Sequence, residues 1–345
     1  MKNKILLLLA LLLWLPVKTW ADEFVNLTPR PKSITMGTGV LTLPDHFTVS
    51  HSGLTADMVT EVQRFAQALH QATGYEVEVK EGDASALIQF TQGAASLKEG
   101  GYVARIESTG VSIQSREVLG TYYACQTLKK IMPACVMAGV KDDKVTAFTL
   151  PCATINDEPR FTYRGFMLDV SRHFFTVDEV KRMLDVMAYY KLNRFHWHLS
   201  DNQGWRAEIK KYPRLTTVGA TAPNCRFTDM DQCTQYWINK PYGPYFYTQE
   251  QMRDVVAYAK ERHMEVIPEI DMPGHFCAAL AAYPEFSCSP YAAHSVQTDG
   301  GIYSDVMNVA NPKAVQFTQD ILEELMDIFP SEYIHIGGDE CPTSA

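Results

Sequence analysis

The first half of the chain moves between two rhythms of apolar and polar positions. Met58, Val62, Phe65 and Leu69 recur at helical spacing and predict an amphipathic helix, with Gly74 as its C-terminal stop. "YEVEVK" (75–80) alternates with period two and predicts a half-buried strand. "ALIQF", "YVARI" and "GVSIQS" continue the strand pattern, and Leu119–Met132 fits a second helix. The stretch opens on "LTPRPKS", a proline-rich lead-in. Strands interleaved with helices predict a small α/β domain over residues 22–157. Its charged residues are scattered, as on a solvated face, and form no catalytic group.

Near Pro159 the rhythm becomes regular. "YRGFMLDV" (163–170) predicts a strand. Thr176 and Glu179 form a capping box for a helix whose Val177, Val180, Met183, Leu184 and Met187 share one face. "RFHWHLSD" (194–201) predicts the next strand, and a long irregular insertion follows. Thr248 and Gln251 cap another helix, "MEVIPEID" (264–271) predicts a third strand, and Pro312 after Asn311 opens a helix with Val315, Ile321, Leu322, Leu325 and Ile328. "YIHIGG" (333–338) predicts a fourth strand. Apolar strands alternating with helices imply a parallel sheet buried on both faces, over a domain spanning 158–345.

Composition narrows the partners. Among 345 residues, 46% are hydrophobic and 21% charged, with a formal net charge of −9. That reads as globular and offers no basic stripe to nucleic acid. Residues 1–21 predict a signal peptide: Lys2 and Lys4, the apolar run Ile5–Leu15, and Ala21 at the cleavage point. The run is shorter than the ~20 residues of a span, so an exported chain without a stable membrane span is expected. Of eight Cys, Cys225/Cys233 and Cys277/Cys288 are spaced for bridges, while Cys125, Cys135 and Cys152 sit among apolar residues.

Each strand of the second region ends in polar chemistry. The ends carry Asp169 and Arg172, then His198 and Asp201, then Asp271 and His275, then Asp339 and Glu340. Sites spread over several strand ends favour a barrel over a doubly wound sheet, which gathers its site at one switch point. Two chemistries fit. His196 and His198 lie on one face of a strand and, with Asp201, Asp271, His275 and Asp339, could hold zinc. Arg172 would then share the pocket with a dication, and no metal is expected. Glycoside cleavage fits better: it needs an acid for the leaving oxygen and a group that stabilises the oxocarbenium-like centre.

Four segments in order carry a resemblance: "RGFMLDVSRHFF" (164–175), "LNRFHWHLSDNQGWR" (192–206), "PEIDMPGH" (268–275) and "HIGGDE" (335–340). Together they are similar to the signatures of glycoside hydrolase family 20, the β-N-acetylhexosaminidases. The preceding α/β region resembles the non-catalytic domain that accompanies this barrel. The resemblance implies a small N-terminal α/β domain followed by the first half of a (β/α)8 TIM barrel, because four strand units are present where the full barrel has eight. It implies retaining exo-hydrolysis of terminal N-acetylglucosamine or N-acetylgalactosamine from a glycan or glycoconjugate, without a cofactor. This family is itself an established exception to the two-carboxylate scheme, its nucleophile being the substrate's acetamido group. By resemblance Glu340 is the acid/base and Asp339 orients the acetamido group. Arg172 grips the 3- and 4-hydroxyls, Asp201 is an acid of the pocket, and Asp271 with His275 forms a dyad supporting Glu340. The family's later aromatic walls have no counterpart among Trp197, Trp205 and Trp237. An incomplete barrel is expected to be inactive alone. A metal-dependent barrel hydrolase and a non-catalytic sugar-binding protein are the alternatives.

Overall fold

The structure is a computed structural model that describes Phe24 and residues 27–93, 95–229 and 234–342, with side chains outside 225–238. The expected leader and Cys225/Cys233 pair lie outside the described residues and side chains. The chain divides into two compact units, Met1–Thr162 and Tyr163–Ala345.

The first unit is a seven-stranded mixed sheet covered by helices. Its elements are β1 (Ser33–Thr42), β2 (His46–Ser52), α1 (Ala56–Thr73), β3 (Glu76–Glu81), β4 (Ile88–Gln92), β5 (Tyr102–Glu107), β6 (Gly110–Ser115), α2 (Val118–Lys130), α3 (Ala134–Ala138) and β7 (Thr149–Asp157). The order is β1-β7-β5-β6-β4-β2-β3. Met58, Val62, Phe65 and Leu69 are all buried, as their spacing predicts, and Gly74 ends α1 at φ 73°. Strands β1, β2 and β7 and the short α3 escape the sequence reading. Most of β1 is exposed, so it carries no apolar alternation; backbone pairing with β7 specifies it instead.

The second unit runs β8 (Gly165–Asp169), α4 (Val177–Tyr189), β9 (Arg194–His198), the short pair β10 (Ser200–Asp201) and β11 (Gly204–Trp205), α5 (Arg214–Thr217), a hairpin of β12 (Cys225–Asp229) and β13 (Thr234–Ile238), α6 (Gln249–Lys260), β14 (Glu265–Glu269), α7 (Cys277–Ala282) and α8 (Pro312–Met326). Both predicted capping boxes form, Thr176–Glu179 and Thr248–Gln251. β8, β9 and β14 are parallel in the order β14-β9-β8. The arrangement is α/β and barrel-like, but partial.

Three expectations change. β8 is not buried on both faces: among the described residues it pairs only with β9, and Phe166 and Met167 are exposed. The fourth strand is reduced to one parallel bridge, Glu269 to His335, with backbone bonds from Ile270 and Met272 to His335 and Ile336. Glycines at 337 and 338, both with positive φ, bend the chain away before a longer ladder forms. In α8 the buried face runs through Ala314, Phe317, Ile321 and Leu325, leaving Val315 exposed.

Candidate active site

Parallel register decides which side chains meet. Asp169 pairs with His198, His198 with Glu269, and Glu269 with His335. Paired residues of neighbouring strands project from the same face about 4.8 Å apart. One rung across four strand segments is therefore made entirely of ionisable side chains. His198 Nδ1 lies 2.8 Å from Glu269 Oε2, and His335 Nδ1 lies 3.1 Å from Glu269 Oε1. His196, two residues earlier on the same face, reaches Glu269 Oε2 at 2.5 Å.

The chain leaving each strand adds the next layer. Asp169 Oδ1 accepts from the backbone N–H groups of Ser171 and Arg172, a turn that returns the guanidinium over the rung. Arg172 Nη1 donates to Asp169 Oδ2 at 2.7 Å, and Nη2 lies 2.6 Å from Asp201 Oδ2. His198 Nε2 meets the same Asp201 oxygen at 3.1 Å. The other oxygen, Oδ1, accepts from Asn202 N–H at 2.6 Å and lies 3.1 Å from His275 Nδ1. His275 Nε2 then reaches Glu340 Oε2 at 3.1 Å. Asp201, His275 and Glu340 form one continuous chain, buried at Asp201 and open at Glu340, whose side chain is 52% exposed.

This geometry corrects the expected dyad. His275 Nδ1 is held by Asp201, and Asp271 instead accepts from Gly338 N–H through Oδ1 at 3.2 Å. The carboxylate nearer in sequence is occupied in fixing the turn before Asp339 and Glu340. That turn explains the glycine pair: a Cβ on Gly337 would stand 1.7 Å from Asp271 Oδ1. His275 and Glu340, at the two ends of their bond, both adopt left-handed backbone, φ 50° and 46°. Such non-glycine conformations cost on the order of 1–3 kcal/mol each and gather at functional sites. Asp339 is more exposed still, 4.0 Å from His275 Nε2.

Electrostatics follow the contacts. Burial lowers the His198 pKa, but its bonds to Asp201 and Glu269 outweigh this and lift it to about 10. His275 is also raised: burial opposes, and the field and hydrogen bond of Asp201 prevail. A protonated ring donates from both nitrogens, one to Asp201 and one to Glu340. Asn202 Nδ2 also lies 3.1 Å from His275 Nδ1, but its Oδ1 accepts from Cys277 N–H, so its amide cannot turn to accept from the ring. Burial would raise Glu269, yet His196 and His198 hold it far below the carboxylate range. Asp271 is pushed up to about 6, by burial first and Asp339 second.

Among the described residues, three groups have ligand atoms close enough for a metal ion: His196/Glu269/His335, His198/Asp201/Asp271 and Asp271/His275/Asp339. In each, at least one such atom already serves a bond within the protein. Asp201 Oδ2 carries Arg172 and His198, Glu269 Oε2 carries two histidines, and His275 Nε2 carries Glu340.

The six predicted residues, Arg172, Asp201, Asp271, His275, Asp339 and Glu340, thus converge. Sequence reasoning missed Glu269, although an acid in register with "HWH" inside an apolar strand was a usable signal. It also missed Arg206, fully buried and donating to the carbonyls of Val170, Ser171, Gln203, Ala220 and Tyr245. Arg206 thereby pins the loop that carries Arg172. Gly204 makes room for it, since a Cβ there would lie 2.2 Å from the guanidinium carbon. Trp197 and Trp205 are buried core residues and offer no sugar platform. Cys277 and Cys288 are unbridged: Cys277 is buried, its thiol directed at the Asp305 carbonyl, and Cys288 is exposed.

Comparison with known proteins places this geometry in context. Residues 161–345 match "Glycosyl hydrolase family 20, catalytic domain", and residues 25–158 match "Glycosyl hydrolase family 20, domain 2". A β-hexosaminidase of Porphyromonas gingivalis is 40% identical over 93% of this chain and 39% of its own length. One from Vibrio furnissii is 39% identical over 72% of this chain and 38% of its own. The solved N-acetyl-β-hexosaminidase of Streptomyces plicatus, in complex with Thio-NAglucal, superposes with a TM-score of 0.78 and 34% identity, over 91% of this chain and 59% of that one. The chain therefore spans about two fifths of the two curated relatives and 59% of the solved one.

Proposed function

The chain belongs to glycosyl hydrolase family 20, and from that premise we propose that it carries the acid/base half of an exo-β-N-acetylhexosaminidase site. The observation that carries this reading is the Asp201–His275–Glu340 chain with Asp339 beside it. Glu340 has one oxygen held by His275 and the other free to carry a proton. In the proposed reaction Glu340 protonates the glycosidic oxygen while the acetamido oxygen of the substrate attacks C1. The leaving group departs, and the resulting oxazolinium lies beside Asp339, which stabilises its positive charge. Water then opens the ring as Glu340 takes its proton back, so the anomeric configuration is retained. Arg172, fixed by Asp169 and Asp201, offers its remaining donors to vicinal hydroxyls of the terminal sugar.

The substrate is a glycan or glycoconjugate ending in N-acetylglucosamine or N-acetylgalactosamine. The test is hydrolysis of a chromogenic N-acetylglucosaminide by the full-length protein, with the product's anomeric configuration followed by NMR and a thiazoline mimic of the cyclised intermediate as competitive inhibitor. An inverted product, or no inhibition by the thiazoline, would remove the substrate-assisted scheme.

Residues 22–345 alone are proposed to be inactive. Among the described residues, β8 and the 333–338 segment each pair on one side only, and Asp339 and Glu340 stand largely open to water. Ordinary turnover by a purified 22–345 chain refutes this. Export with cleavage near Ala21 is likewise proposed, from Lys2, Lys4 and the apolar run that follows. N-terminal sequencing of the mature protein decides it. Among the described residues no helix is long and apolar enough to cross a membrane.

A further inference from the structure

The rung beneath the pocket carries an inference that rests on the proposed hexosaminidase reading and deepens it. We propose that His198, clamped between Glu269 and Asp201, is a positioning residue for both arms of the site: it fixes Asp201, and through Asp201 both the sugar-gripping Arg172 and the His275–Glu340 acid/base.

Asp201 is the branch point. Its Oδ2 faces two cations, Arg172 Nη2 at 2.6 Å and His198 Nε2 at 3.1 Å, while its Oδ1 faces Asn202 N–H and His275 Nδ1. The Asp201 side chain is fully buried, so its rotamer is set by these donors alone. Arg172 cannot do this unaided, because it is 43% exposed and is shared with Asp169. The His198 side chain is 5% exposed, with Nδ1 beside Glu269 and Nε2 3.1 Å from Asp201 Oδ2; Nε2 also lies 3.3 Å from Arg172 Nη1, a donor that only a ring unprotonated at Nε2 could accept from. Glu269 is in turn buried and held by His196, while the nearby His335 Nδ1 accepts from Gly337 N–H. The charges facing His198 are Asp169 and Arg172 from the β8 side, Asp201 from its own segment, and Glu269 and Asp271 from β14. Carboxylates outnumber cations there, which keeps the ring an imidazolium able to donate at both ends. A neutral ring has one N–H and must release either Glu269 or Asp201.

The role therefore separates from simple packing by its pH dependence. In the full-length protein, Glu269→Gln keeps the size of the side chain and removes one of the two carboxylates in contact with the His198 ring. The ratio of the variant's kcat/KM to the parent's is expected to fall about tenfold between pH 5.5 and pH 8, as His198 titrates. His198→Gln, which has no proton to lose, is expected to be impaired equally at every pH, with both KM and kcat affected because both arms hang on Asp201. A Glu269→Gln profile parallel to the parent's across the whole range overturns the proposal and leaves Glu269 a structural residue.

A neutron structure of the full-length parent at pH 8 supplies a readout that does not depend on turnover. Deuterium on both ring nitrogens of His198 is expected; a singly protonated ring overturns the proposal. A parent that fails to cleave any N-acetylhexosaminide removes the functional reading, and the neutron result still decides the protonation and clamping of His198.

Discussion

In the first unit the sheet residues that reach the core include Val49, Ile88, Phe90, Ile106, Ile113 and Ile155; in the second, β9 and β14 also bury Phe195, Trp197 and Val266, but the strands end in Asp169, His198 and Glu269. The contrast is one of energetic purpose. An apolar side chain taken from water contributes about 1.5–3 kcal/mol and asks nothing of its neighbours beyond shape. A buried charge costs several kcal/mol in desolvation and is recovered only through partners in good geometry. Every buried charge of the rung has such partners, and the whole row hangs together or not at all. The first sheet is built to be stable, and the second accepts a cost to hold charges in fixed relation.

The sharpest test separates chemistry from folding. In the full-length protein Glu340→Gln is expected to lower kcat by about 10²–10⁴, the usual worth of a positioned proton donor. Its melting temperature should stay near the parent's, since the side chain is half exposed. A variant that keeps normal turnover breaks the assignment, and one that binds a terminal-sugar ligand unchanged but turns over nothing sharpens it. The matching experiment in the first unit is Phe65→Ala. Phe65 is buried, its ring 5.9 Å from Phe90 in edge contact. The loss expected is about 3–5 kcal/mol of unfolding free energy, measured by urea titration, with kcat/KM of the surviving folded protein unchanged. A change in kcat/KM would show that the first sheet reaches the chemistry.

A smaller effect is confined to pH. Asp271 titrates near 6 when folded, against an ordinary Asp value near 3.8. The folded state binds this proton more tightly than the unfolded state, so the sign is fixed: stability from this group falls as pH rises from about 4 to about 6. Two pKa units correspond to about 3 kcal/mol. Asp271→Asn removes the dependence, so the variant should gain on the parent by up to that amount between pH 4 and pH 6.5 in paired urea titrations. A pH-independent difference would place the carboxyl in its ordinary range.

The same contrast governs what could be read from the residues. Helices were legible where apolar spacing coincided with a cap, as at Thr176–Glu179, Thr248–Gln251 and Asn311–Pro312. The strand ends told which residues belong to the site, because parallel strands deliver their C-terminal residues to one side. They did not tell which carboxylate holds His275. Asp271 is four residues away and Asp201 seventy-four, and only the packing of the 201–204 turn against 275–277 decides between them. Glu269 was hidden because its worth depends on cross-strand register with His198. β1 was hidden for the opposite reason: a largely exposed strand needs no apolar alternation to pair with β7.

The smallest effect compares two threonines that sequence treats alike. Thr55 precedes α1 and Thr176 precedes α4, each with extended backbone at the N-cap. Thr176 accepts from Glu179 N–H, and Glu179 answers by accepting from Thr176 N–H at 2.7 Å. The first turn of α4 is therefore closed by side chains at two backbone donors. Thr55 makes no side-chain cap bond, and α1 gains its stability from Met58, Val62, Phe65 and Leu69 beneath it. Replacing an N-cap threonine that works costs about 1 kcal/mol. Thr176→Ala should therefore lower the stability of the second unit by about that much, while Thr55→Ala should fall within about 0.5 kcal/mol of the parent. Chemical denaturation of the two variants side by side measures both. Equal losses would mean that α1 depends on its cap as α4 does. Unequal losses in the expected direction show that side-chain cap bonds help to hold α4, whereas α1 rests on its buried apolar face.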